Sequence, residues 1–186
     1  MMIRSANRNR SRIASVLLVL ALAACDGGDA PKCTALGGRY EFGRGVAKDE
    51  SMAAKLYREA CNKRDAAGCS YLAYLHRSGR GVPKDEAKAA GFLKRACDMG
   101  RGRSCSELSS MHFTGQGARK DEPRALTLLR RACEKNHPYS CTDLADRYEN
   151  GTGVKKDLAK SLEFRSKGCA GGDSLACKKL RSLGQG

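Results

Sequence analysis

The sequence predicts an all-α protein, a right-handed α/α solenoid of 36-residue helical hairpins stapled by disulfides. Two observations carry this prediction. Cysteines return in pairs at Cys61/Cys69, Cys97/Cys105, Cys133/Cys141 and Cys169/Cys177, with seven residues inside each pair and 36 from one pair to the next. Apolar residues keep the same period and fall at steps of three and four, the spacing of one helix face. A fixed period of this length marks a repeat array, in which each unit buries its apolar face only against its neighbours.

The elements follow in order when each unit is counted from Cys33, Cys69, Cys105 or Cys141. Leu36, Leu72, Leu108 and Leu144 come three residues on, then a small residue, then a ring at Tyr40, His76, His112 and Tyr148. These define a first helix, which stops at Gly43, Gly79, Gly115 and Gly151 because glycine readily takes the left-handed conformation that ends a helix. Asp49, Asp85, Asp121 and Asp157 suit N-caps of a second helix, since a carboxylate can accept an otherwise unpaired helix N–H. Pro123 falls in the first turn, where proline is tolerated. The second helix runs through Ala53, Leu56, Tyr57 and Ala60 to Cys61, with copies through Leu93 and Leu129. Gly100, Asn136 and Gly172 end three of these helices; Arg64 occupies that column in the first, so the first turn between repeats is expected to differ. The stretch from Cys177 to Gly186 reads as a capping helix, with Leu180 and Leu183 inward and Lys178, Lys179 and Arg181 outward. The repeated Gly-x-Gly pairs lack the lysine and serine of a phosphate loop and read as turns between helices.

Ten cysteines in 186 residues point to an oxidising compartment. Structural zinc sites use ligands two to four residues apart, and this chain has no such spacing between cysteines. Pairing across seven residues and pairing within a hairpin, Cys33 with Cys61 and onward, are both periodic. With Cys25 acylated, the first scheme leaves Cys33 over and the second leaves Cys177.

Leu36-Gly37-Gly38-Arg39-Tyr40 and Gly81-Val82-Pro83-Lys84-Asp85 carry columns that resemble the sel-1-like repeat, a relative of the tetratricopeptide repeat. The cysteine pairs resemble the Helicobacter cysteine-rich protein subfamily. The resemblance covers residues 33–186. It implies bonds between Cys61 and Cys69, Cys97 and Cys105, Cys133 and Cys141, and Cys169 and Cys177. Cys33 is then left as a thiol or as one half of a bond between chains. Each nine-residue loop would contribute ~2.5 kcal/mol on the chain-entropy account. The resemblance also implies a concave groove lined by first helices, with Ser70, Tyr74, Arg77, Ser110, Phe113, Asp146 and Glu149 along it and Tyr74 and Phe113 as exposed aromatics.

Some cysteine-rich relatives carry penicillin-recognising activity, and a β-lactamase-like hydrolase is the alternative function. The residues do not support it: no serine has lysine three residues on, and Ser-Asp-Asn and Lys-Thr-Gly are absent. No catalytic residue, metal site or cofactor is expected. A third reading, haem or metal handling in envelope redox assembly, follows from mitochondrial relatives and would use His76 and His112. Tyr40 and Tyr148 share their column, which reads instead as half-buried packing rings.

Residues 1–24 read as a lipoprotein signal peptide, with Arg4, Arg8, Arg10 and Arg12 before an apolar run from Ile13 to Ala24. Leu22-Ala23-Ala24-Cys25 looks like a bacterial lipobox, which implies acylation of Cys25. Residues 25–32 form the lipidated cysteine and a short tether, and residues 33–186 the solenoid. The expected place is the periplasmic side of a bacterial envelope, with Asp26 favouring the inner membrane. Taking the four signal arginines from 35 basic residues leaves 31 against 20 acidic ones, a formal charge of +11. Such a surface suits anionic lipid, an acidic polymer or an acidic protein; nucleic acid is an unusual partner for an exported chain. The expected role is therefore a lipid-anchored scaffold that binds a protein or peptide.

Overall fold

The computed structural model describes residues 29–184. The predicted signal, Cys25 and Asp26 lie outside the described residues. Nine α-helices and no strand occur among those described: α1 Ala30–Phe42, α2 Glu50–Asn62, α3 Ala66–Ser78, α4 Glu86–Asp98, α5 Gly102–Thr114, α6 Glu122–Glu134, α7 Pro138–Asn150, α8 Leu158–Ala170 and α9 Ser174–Leu183. None of them is long and apolar enough to cross a membrane. The chain divides into two units, one ending at Lys84 and one beginning at Asp85.

In the first unit, α1 and α2 form a hairpin and α3 packs on α2. Asp49 caps α2 by accepting from the Met52 N–H, and Gly43 ends α1 at φ 69°. Met52, Leu56 and Ala60 close over the buried Cys33. α1 begins at Ala30, capped by Asp29 with proline in its first turn, so the last three residues of the predicted tether are already helical. Pro31 sets φ and Asp29 supplies the acceptor, which together start the helix early.

The second unit repeats the device. Asp85, Asp121 and Asp157 accept from the N–H groups of Lys88, Arg124 and Lys160. Gly115 and Gly151 end α5 and α7 in the left-handed conformation. An apolar cluster in it joins Leu129, Leu144, Tyr148 and Phe164.

Four disulfides join the second helix of one repeat to the first helix of the next, at Cys61–Cys69, Cys97–Cys105, Cys133–Cys141 and Cys169–Cys177. Their Cα atoms stand 4.5 to 4.7 Å apart, inside the usual range. At so close an approach the flanking residues must be small. A Cβ on Gly68 would sit 2.5 Å from Ala60 Cβ, and Ser104, Ser140 and Ala176 hold the equivalent buried places.

The turn at Arg64 does not differ from its copies. Arg64 takes φ 66°, as Asn136 takes 57° and Gly100 takes 91°. Its N–H donates to Cys61 O and the Asp65 N–H to Ala60 O; Gly100 and Arg101 repeat the pattern on Cys97 and Ala96. The disulfide and the two turn bonds hold a backbone that arginine by itself disfavours.

Candidate functional site

The first-helix faces hold the predicted surface residues, which fall on both units. In the first unit α3 presents Tyr74, 51% exposed, with Arg77 exposed one turn on. The Arg80 guanidinium lies 5.7 Å from the Tyr74 ring. Tyr71, on the same helix, packs 5.2 Å from Tyr57. Ser70 is buried, contrary to its predicted place in the groove. It follows Cys69 directly, where the disulfide draws α3 onto α2.

Beneath this face lies a polar network that the repeat pattern did not point out. The Tyr57 hydroxyl donates to Glu41 at 2.7 Å, and Arg80 Nη1 reaches Glu41 at 3.1 Å. Arg80 also holds Glu50 at 2.8 Å, and Lys48 meets Glu50 at 2.9 Å. These hydrogen bonds from Lys48 and Arg80 hold the Glu50 carboxyl below its ordinary range. Burial, then the Glu41 carboxylate, push the Tyr57 hydroxyl well above its own.

In the second unit Ser110 is exposed, and Asp146 and Glu149 are half-buried. Phe113 is also half-buried rather than exposed, because the next first helix sends Arg147 over its ring at 3.9 Å. Asp146 and Glu149 both accept from Nη2 of Arg165, which is 2% exposed. Lys179 meets Glu149 at 2.6 Å, and that hydrogen bond holds Glu149 below the usual carboxylate range. Arg165 was missed by the sequence reading. Its column offered a signal, since it interrupts Leu93 and Leu129 with a charge.

A cleft of ≈ 790 Å³ opens between α6 and α8, also outside the predicted columns. Tyr148 and Phe164 stack beneath it at 5.7 Å, and Arg130 Nη2 donates to the Tyr148 hydroxyl at 3.1 Å. The two column histidines are tied to their own hairpin loops. The His76 ring stands 3.3 Å from Pro83 O and the His112 ring 2.9 Å from Arg119 O, each through Nδ1. A ring N–H bonded to a carbonyl is a packing arrangement with a fixed tautomer. Among the described residues no three His, Cys, Asp or Glu side chains converge as a metal site.

Helical hairpins at a 36-residue period, joined by disulfides, define the α/α solenoid class of repeat proteins. The Sel1 repeat matches residues 33–65, 66–100, 102–137 and 138–173, and the chain belongs to the Sel1 repeat family. Among solved structures it is similar to a Sel1 repeat protein from Oxalobacter formigenes, at 26% identity and a TM-score of 0.78, covering 89% of this chain and 68% of that one. It is similar in fold to c5321, a protective antigen of uropathogenic Escherichia coli strains, at 24% identity and a TM-score of 0.76. That match covers 89% of this chain but only 36% of the c5321 chain. Helicobacter pylori cysteine-rich protein B shares the fold at 23% identity and a TM-score of 0.53, over 68% of this chain and 91% of that one. Among curated proteins no sequence matches.

Proposed function

We propose that this protein is a lipid-anchored scaffold on the periplasmic side of a bacterial envelope, holding an acidic protein or peptide against its first-helix face. The observation that carries the reading is α3. It leaves Tyr74 half in solvent, with Arg77 exposed beside it, on a helix that a disulfide fixes to its neighbour. A large ring with a neighbouring cation is the composition of interface anchors. Leu22-Ala23-Ala24-Cys25 supports acylation at Cys25, and Asp26 supports retention in the inner membrane. Two or more acyl chains would anchor the chain stably, where a single one would not.

Crosslinking in intact cells followed by mass spectrometry tests the proposal. Tyr74→Ala is expected to abolish capture of the crosslinked partner while leaving Tm within about 2 °C of wild type, the shift of an exposed substitution. Capture at wild-type yield would remove α3 from the binding surface.

A further inference from the structure

We propose that α1 lies flat against an anionic lipid surface, with Phe42 as its wedge and Arg39 and Arg44 as its headgroup contacts. The inference rests on the acylation of Cys25 proposed above.

Pro31, Ala35, Arg39 and Phe42 are all exposed, at steps of four, four and three, so they share one face of α1. Phe42 is 58% exposed at the helix end. The Arg44 guanidinium lies 5.2 Å from its ring, and Arg39 Nε donates to Arg44 O at 3.1 Å, which gathers ring and cations in one place. The other cations near this face are spoken for: Lys32 pairs with Asp29 and Lys48 with Glu50, each at 2.9 Å. Arg39 and Arg44 meet no carboxylate among the described residues.

This face departs from its copies most at Phe42. The column of Arg39 holds Leu75 and Met111 in the next two repeats, both buried. The column of Phe42 holds Ser78, Thr114 and Asn150. The first helix therefore places charge where the next two copies bury carbon and the last keeps Arg147, and a large ring where all three keep short polar groups. Arginine stems that lie on apolar matter while their heads stay in water, beside an aromatic ring, suit the headgroup layer of a membrane.

Chain length selects the occupant. Only four residue steps separate Cys25 from Asp29, at most ~14 Å when fully extended. α1 itself is ~20 Å long at 1.5 Å per residue. An acylated Cys25 holds the start of α1 at the bilayer, and Phe42 reaches the same surface only if the helix lies along it. Anionic lipid adds an attraction for Arg39 and Arg44 that falls off within a Debye length.

The chain has no tryptophan, so Phe42→Trp supplies the only indole. The acylated full-length variant would be reconstituted into phosphatidylglycerol vesicles with brominated acyl chains, and into phosphatidylcholine vesicles of the same kind. Circular dichroism checks that it keeps its helices. The expected result is blue-shifted emission and strong bromine quenching in phosphatidylglycerol. Both effects weaken in phosphatidylcholine, in high salt, and when Arg39→Glu and Arg44→Glu are added. An acylated protein whose indole emits as in water, or is quenched equally in both lipids, would overturn the docking of α1 while leaving the anchor standing. A mass spectrum showing Cys25 without acyl chains would overturn both.

Discussion

The first and last repeats solve one packing problem with opposite charges. Glu41 and Glu149 share a column, as do Tyr57 and Arg165. In the first repeat a buried carboxylate is satisfied by a phenol and by Arg80 from the following loop. In the last repeat a buried guanidinium takes the phenol's place and is satisfied by two partly exposed carboxylates, with Lys179 beside them. Between them Leu93 and Leu129 fill the column with plain carbon. A repeat thus dictates where a side chain points and leaves the interaction it makes to its neighbours. Nε of Arg165 has no acceptor among the described residues, so the last repeat's arrangement is the less complete of the two.

Arg165→Ala should have the largest effect. It empties a buried site and leaves Asp146 and Glu149 to Lys179 alone, for a loss of about 3 kcal/mol in urea unfolding, the scale of a large side chain cut back in a packed site. Arg165→Leu copies the middle repeats and should stay within about 1 kcal/mol of wild type, since a buried pair exchanged for carbon is often neutral. A Leu variant as weak as the Ala variant would mean that the charge itself holds the last repeat together. Tyr57→Phe removes one hydrogen bond to a buried carboxylate and should cost about 1.5–2 kcal/mol. A loss below 0.5 kcal/mol on the scale of such bonds would show that Arg80 alone suffices for Glu41.

Arg64→Gly should stabilise by about 0.5–1 kcal/mol, because glycine relieves the left-handed backbone at some cost in chain entropy. Thermal melts of the two proteins would read the gain; an unchanged Tm would mean that the turn carries no strain. The smallest effect is acid dependence at Glu149. Its native pKa is lowered by Lys179, so it adds stability above the unfolded carboxyl value of about 4.3. That stability is lost as pH falls through the lowered native value. A Tm-against-pH profile should therefore drop less steeply below about pH 4.3 in Glu149→Gln than in wild type.

Much of the helix layout was legible because its signals are local. Asp49, Asp85, Asp121 and Asp157 announce helix starts, and Gly43, Gly79, Gly115 and Gly151 announce ends. The candidate surface was less legible. Tyr74 stands in solvent, but Phe113 does not, and nothing in the column of Phe113 indicates that Arg147 reaches across to cover it. Arg64 misled the reading because residue type was taken to decide the turn, whereas a disulfide and two backbone bonds decide it.

By itself the sequence determined the period, the stops of the first helices at Gly43, Gly79, Gly115 and Gly151, and the spacing at which sulfur meets sulfur. Those depend on backbone geometry and on residues close along the chain. Only the tertiary structure decided which charges are buried, which rings are covered and which face of α1 stands open. Those depend on how far a side chain from the next helix can reach, and on whether a partner is there to meet it.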